Sequence, residues 1–188
     1  AVVREAKFLP RKPMLRMAFV EPIKEVRQLS LEFAIPPTRP DFASKPDPLL
    51  EALISYPGPG GLLDRLKKQG LANKLGAFTW ERTSDYGSLF IQADLTPEGK
   101  DKYPVVMAAI FSYLEFLRGS PFPSAFYQDR ARIAALNETY SDRGEGAELA
   151  TKLANQALFY PLDVAERRGR RHRLAVLVHR AVADVAIK

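Results

Sequence analysis

Residues 57–61 read Pro-Gly-Pro-Gly-Gly, and neither a helix nor a strand runs through five such residues. Whatever precedes must end near Tyr56, and a new element must start beyond Gly61. The next residues say which kind. Leu62, Leu63 and Leu66 recur at three- and four-residue spacing, the mark of a short helix with one buried face. Lys67 and Lys68 fall in its last turn, where positive charge suits the negative end of the helix dipole. Gly70 then supplies the left-handed residue that stops a helix. The stretch Ile54–Gly76 is thus a turn-rich loop and a short helix around which the rest is arranged. A glycine-rich loop before a helix also suggests phosphate binding. However, the spacing fits neither the G-x-G-x-x-G fingerprint nor the P-loop, so the glycines are read as allowing close approach of backbone to a ligand or a neighbouring element.

The flanking elements follow from period. Residues 1–13 read as irregular, with Pro10 and Pro13 against a helix. Met14 to Val20 is predicted as a first strand. In Val26 to Ile35, Leu29, Leu31, Phe33 and Ile35 alternate with Gln28, Ser30, Glu32 and Ala34, so one face meets a core. Asp47 and Pro48 open a helix over Leu49–Tyr56 as cap and first residue. Lys74–Arg82 and Gly87–Leu95 read as two strands of an antiparallel hairpin. Thr96-Pro97-Glu98 starts a helix predicted to run to Arg118, with Tyr103, Val106, Met107, Ile110, Tyr113, Leu114 and Leu117 as its apolar stripe. Further helices are expected over Ser124–Tyr140 and Glu145–Tyr160. Segregated strands and helices argue for an α+β two-layer domain, with a largely antiparallel sheet and helices packed on one face. Leu29, Leu31, Phe33, Leu89 and Ile91 are its expected core face. The domain is expected over residues 1–163, with 164–188 a basic tail.

Charge has to be located before it is interpreted. The net charge is +6 at pH 7, yet residues 164–188 carry +5 of it and the remainder is nearly neutral. A nucleic-acid partner inferred from whole-chain charge would be inferred from the wrong segment. Arg167, Arg168, Arg170, Arg171 and Arg173 precede an apolar stripe at Leu174, Leu177, Val178, Ala181, Val182 and Val185. Packing as a last helix is preferred there to a foreign or disordered tail, and both are preferred to membrane or nucleic-acid binding. No stretch approaches the ~20 apolar residues of a membrane span.

Several chemistries lack their residues. There is no cysteine, and the two histidines, His172 and His179, sit in the tail at neither the i,i+3 nor the i,i+4 spacing that would bring them together as two ligands on a helix. No histidine lies before residue 164 to serve a Ser-His-Asp triad. No catalytic residue and no metal ligand is assigned. Phe78, Trp80, Tyr86 and Phe90 on the hairpin, with Phe122, Phe126 and Tyr127 further on, are read as core or interface packing. Base stacking would need basic side chains among them.

Five segments in order carry a family resemblance: Val20-Glu21-Pro22, Arg27 to Phe33, Pro57 to Leu63 with Leu66-Lys67 and Gly70, Asp94 to Gly99, and Phe159 to Leu162. Together they resemble the second, non-catalytic domain of a half in the insulinase/pitrilysin family of zinc metallopeptidases. The resemblance implies a domain that helps wall a substrate chamber. Zinc, on an H-x-x-E-H helix, would belong to a companion catalytic domain, and extended peptides would be the substrates. It implies an exosite by position: Ile54, Ser55, Tyr56 and Leu75, Gly76, Ala77, where a strand edge would hold a peptide by its main chain. Where the family often has His-Glu before Gly-Pro-Gly, this chain has Tyr56-Pro57, so no carboxylate stands there to pair with a peptide's amino terminus. The alternative is a non-catalytic peptide-binding or scaffold module like the processing-peptidase core proteins. The family would place the parent in the periplasm or cytoplasm of a bacterium.

Overall fold

The computed structural model describes residues 15–38, 46–81, 86–121, 123–140, 146–158 and 160. The predicted basic tail, the irregular residues 1–13 and Phe122 lie outside them. In chain order the elements are β1 (Gln28–Ile35), α1 (Pro46–Ile54), α2 (Leu62–Lys68), β2 (Ala72–Glu81), β3 (Gly87–Leu95), α3 (Pro97–Asp101), α4 (Tyr103–Gly119), α5 (Ser124–Tyr140) and α6 (Gly146–Ala157). The α+β two-layer expectation holds. The three strands form one antiparallel sheet in the order β1-β3-β2, and α1, α2 and α4 share a core with one of its faces.

β3 is central, and its burial shows it. Leu89, Ile91 and Ala93 point to the helices at 0% exposure, with Val106 and Ile110 of α4, Ile54 and Leu66 equally buried. Burying such an aliphatic side chain completely contributes roughly 1.5–3 kcal/mol. The register sets Leu31 opposite Ile91 and Phe33 opposite Leu89. Leu29, Leu31 and Phe33 therefore face the core as predicted, but they are only partly buried, because β1 is an edge strand in the described sheet.

Two glycines join the helices to the sheet. Gly70 has φ +68°. Its N–H donates to the Lys67 carbonyl, and that of Leu71 donates to the Leu66 carbonyl. These two bonds are the Schellman closure of α2 that the sequence predicts. Leu71 then runs so close to Gly99 that any Cβ at 99 would overlap the Leu71 carbonyl. Thr96 fixes the same junction. Its Oγ1 accepts from the Gly99 N–H at 2.9 Å and donates to the Gly70 carbonyl at 2.6 Å, and its N–H donates to the Leu71 carbonyl at 3.2 Å.

Three expectations are corrected. Residues 15–20 form no strand. Their alternation is real, and Phe19 packs edge-on to Tyr103 at 5.8 Å between ring centroids. A strand, though, is a hydrogen-bonded ladder, and no backbone partner pairs with them among the described residues. The helix predicted from Pro97 to Arg118 is two helices. Pro104 has no N–H to donate, and the chain leaves helical geometry at Lys102 (φ −102°, ψ 26°). The helix before the glycine-rich loop spans Pro46–Ile54 rather than Leu49–Tyr56, so Ser55 and Tyr56 lie beyond its end.

Candidate functional site

Of the predicted exosite residues, Leu75, Gly76 and Ala77 lie on β2, and Ser55 meets them there. The ladder of β2 to β3 pairs Leu75 with Ala93, Gly76 with Gln92, Ala77 with Ile91 and Thr79 with Leu89. The Ala77 N–H donates to Ser55 Oγ at 2.8 Å and the Thr79 N–H to Glu51 Oε1 at 2.6 Å. Neither is therefore bonded to β3. Antiparallel pairs alternate between bonded and non-bonded. So the N–H and C=O groups of Leu75, Ala77 and Thr79 all point to the edge away from β3, while Gly76 and Phe78 exchange bonds with it.

α1 lies along this edge. Asp47, Glu51 and Ser55 recur every four residues and so share one stripe. Thr79 Oγ1 donates to Glu51 Oε1 at 2.6 Å, with Asp47 Oδ2 3.5 Å away. The helix is seated by Leu49, Leu50 and Ile54, all buried, and the Tyr113 hydroxyl donates to the Leu53 carbonyl at 3.2 Å. Burial pushes the Tyr113 hydroxyl pKa up, so it stays a donor across the neutral range. Glu51, unlike Ser55, is not among the residues that the sequence places at this edge, although its i,i+4 spacing to Ser55 is a usable signal.

The six predicted residues divide by role. Ile54 is fully buried, so its side chain belongs to the core. Leu75 is also buried by its side chain and offers only backbone. Tyr56 packs edge-on against Phe126 at 5.8 Å between centroids, and its ring lies over Gly58, where any Cβ would collide with it. The glycine-rich loop thus closes on its own neighbour. Its amides are also engaged: the Gly61 N–H donates to the Gly58 carbonyl at 3.1 Å, and the Gly60 N–H to Asp64 Oδ2 at 3.2 Å. Lys68 Nζ, 2.8 Å from the same oxygen, and the Gly60 N–H hold the Asp64 carboxyl below the usual carboxylate range. A carboxylate from the first turn of α2 on the loop's amide is the opposite of a phosphate cradle.

The hairpin aromatics are not core. Phe78 and Phe90 stack at 5.0 Å with a 13° interplanar angle. They lie on the sheet face opposite the helices, where Trp80 is 58% exposed. Tyr127, in contrast, is buried, and its hydroxyl pKa is pushed up by that burial.

No three His, Cys, Asp or Glu side chains cluster closely enough to hold a metal ion among the described residues. No helix of the described residues is long and apolar enough to cross a membrane.

The profile of the "Peptidase M16 inactive domain" matches residues 7–132. The A-factor-processing enzyme of Saccharomyces cerevisiae is 31% identical over 137 residues, which are 72% of this chain and 13% of the yeast protein. A crystal structure of pitrilysin superposes with a TM-score of 0.77 at 28% identity, over 86% of this chain and 18% of that one. An inactive peptidase domain from Bordetella parapertussis shares the fold, with a TM-score of 0.60 at 22% identity, and covers 91% of this chain and 88% of that one. The chain therefore spans a small part of the full-length relatives and nearly the whole of an isolated domain, and it belongs to the peptidase M16 inactive-domain family of insulinase- and pitrilysin-type zinc metallopeptidases.

Proposed function

We propose that this chain is the non-catalytic chamber domain of a zinc metalloendopeptidase and holds extended peptides by their main chain. Zinc and hydrolysis belong to a companion catalytic domain outside this chain. The observation that carries the reading is the edge of β2 at Leu75, whose N–H and C=O point away from β3 beside the Ser55–Tyr56 turn. A peptide laid there would exchange backbone bonds with Leu75 and gain affinity without a demand on its side chains. Family membership supports a partner domain, and the small share of the full-length relatives that the chain spans supports a larger parent.

Pro57 stands where the family's carboxylate would, so the grip is on backbone rather than on a free amino terminus. The isolated domain binds weakly, because no opposing wall lowers the cost of ordering the peptide. Titrating one peptide in free and N-acetylated forms, with amide shifts followed by NMR, tests this. Similar affinities and shifts at Leu75–Ala77 are expected. A large loss on acetylation would show that a carboxylate elsewhere reads the amino terminus. Shifts confined to the face of Phe78 and Trp80 would overturn the site.

A further inference from the structure

The edge of β2 is not uniform. From Ala77 onward its outward N–H groups are taken by side chains of α1 and of the residue just past it, Ser55 on Ala77 and Glu51 on Thr79. At Leu75 no such bond is made among the described residues. We propose that α1 sets the length of the strand that β2 can accept: a captured peptide pairs with Leu75 and stops at Ser55. The inference rests on the capture reading above and adds what limits it.

The argument is geometric. An added strand meets outward-pointing residues two apart, so its first two pairs would be with Leu75 and Ala77. At Leu75 the peptide can exchange both an N–H and a C=O. At Ala77 the N–H is already bonded, and Ser55, with its Oγ only 2.8 Å from that nitrogen, occupies space that a strand ~4.8 Å away would need. Trading the Ser55 bond for a peptide bond gains little, since one hydrogen bond replaces another. Nor can α1 retreat, because Leu49, Leu50 and Ile54 anchor it in the core at 5%, 3% and 0% exposure. The polar stripe of α1 therefore takes the place of a fourth strand along the upper half of β2. It also protects that half from indiscriminate edge pairing. What remains is a short anchor of one residue pair, suited to holding one end of a long peptide while the rest stays free to reach elsewhere.

Ser55 lies just past the end of α1, so Ser55→Gly removes the obstruction with little effect on the helix. The probes are acetylated peptides of three and six residues, alternating Val and Thr, titrated into the 15N-labelled chain. For the unaltered protein, both lengths should bind alike, with shifts at Leu75 and little change at the Ala77 amide. For Ser55→Gly, the longer peptide should bind about tenfold tighter, the scale of one or two added hydrogen bonds, with a new shift at Ala77. Ser55→Thr, which keeps the acceptor oxygen, should behave as the unaltered protein. Hydrogen exchange without peptide gives a second readout, with Ala77 protected in the unaltered protein and fast in Ser55→Gly.

Length-dependent affinity in the unaltered protein, with a shift at Ala77, overturns the inference. So does an unprotected Ala77 amide. Equal binding of both lengths to Ser55→Gly, with shifts still at Leu75, overturns the inference and leaves the capture site standing. No shift at Leu75 in any variant overturns both.

Discussion

α4 and α5 are each 17 residues long, and they show that forming a helix and stabilising a fold are separate matters. α4 lays Val106 and Ile110 into the core at 0% exposure, with Tyr103, Tyr113, Leu114 and Leu117 packed around them. α5 contributes Tyr127 near its start. Further along, Ile133 and Leu136 are 48% and 52% exposed. Its sequence holds four Ala and two Arg, good helix formers that need no partner to favour the conformation. A helix of that length is still only marginal in water without a packed face. The body from β1 to the start of α5 is therefore held by burial, and the later turns of α5, around Ile133 and Leu136, rest more on local propensity.

That contrast can be broken by substitution, from the body outward, in urea unfolding of the whole chain. Leu89→Ala, in the middle of the central strand, should cost ~2–5 kcal/mol, as large-to-small changes at fully buried sites do. A cost near that of a surface change would mean the register of the sheet is wrong. Gly99→Ala comes next. Its methyl must push the Leu71 backbone aside, and overpacking of this kind costs about 1–3 kcal/mol. A neutral result would show that α3 can slide off the Gly70–Leu71 turn. Leu136→Ala on α5 should fall within about 0.5 kcal/mol of the unaltered protein, like other exposed changes. A loss several times larger would show that α5 is packed against something, and the contrast would dissolve.

Much of this was legible in the sequence, for reasons that can be named. β3 is bounded as predicted, Gly87–Leu95, because strict alternation ends at the Thr96-Pro97 helix start. α5 likewise spans Ser124–Tyr140 as read, and Gly70 closes α2 where a left-handed residue was expected. These are local signals, complete within a few residues. The failures needed information from elsewhere in the chain. Residues 15–20 alternate like a strand, but a strand also needs a neighbour. The hairpin aromatics have strand propensity, which does not say which face they take. At the candidate site, the meeting of Ser55 with Ala77 joins residues 22 positions apart. Spacing along α1 could have nominated Ser55 as an acceptor, though not its donor. The resemblance brought both stretches to attention and said nothing of the bond between them.

The strand order β1-β3-β2 also has a history in time. β3 is the last of the three strands in the chain and the only one that both others touch. While the protein is being made, neither β1 nor β2 has its partner in the described sheet until Gly87 and the residues after it emerge. At about 5–20 residues per second, the interval from Ile35 to that point is several seconds. Through it, the alternating Leu29, Leu31 and Phe33 wait without the strand that covers them, so the most exposed moment in the life of β1 comes before the fold exists at all.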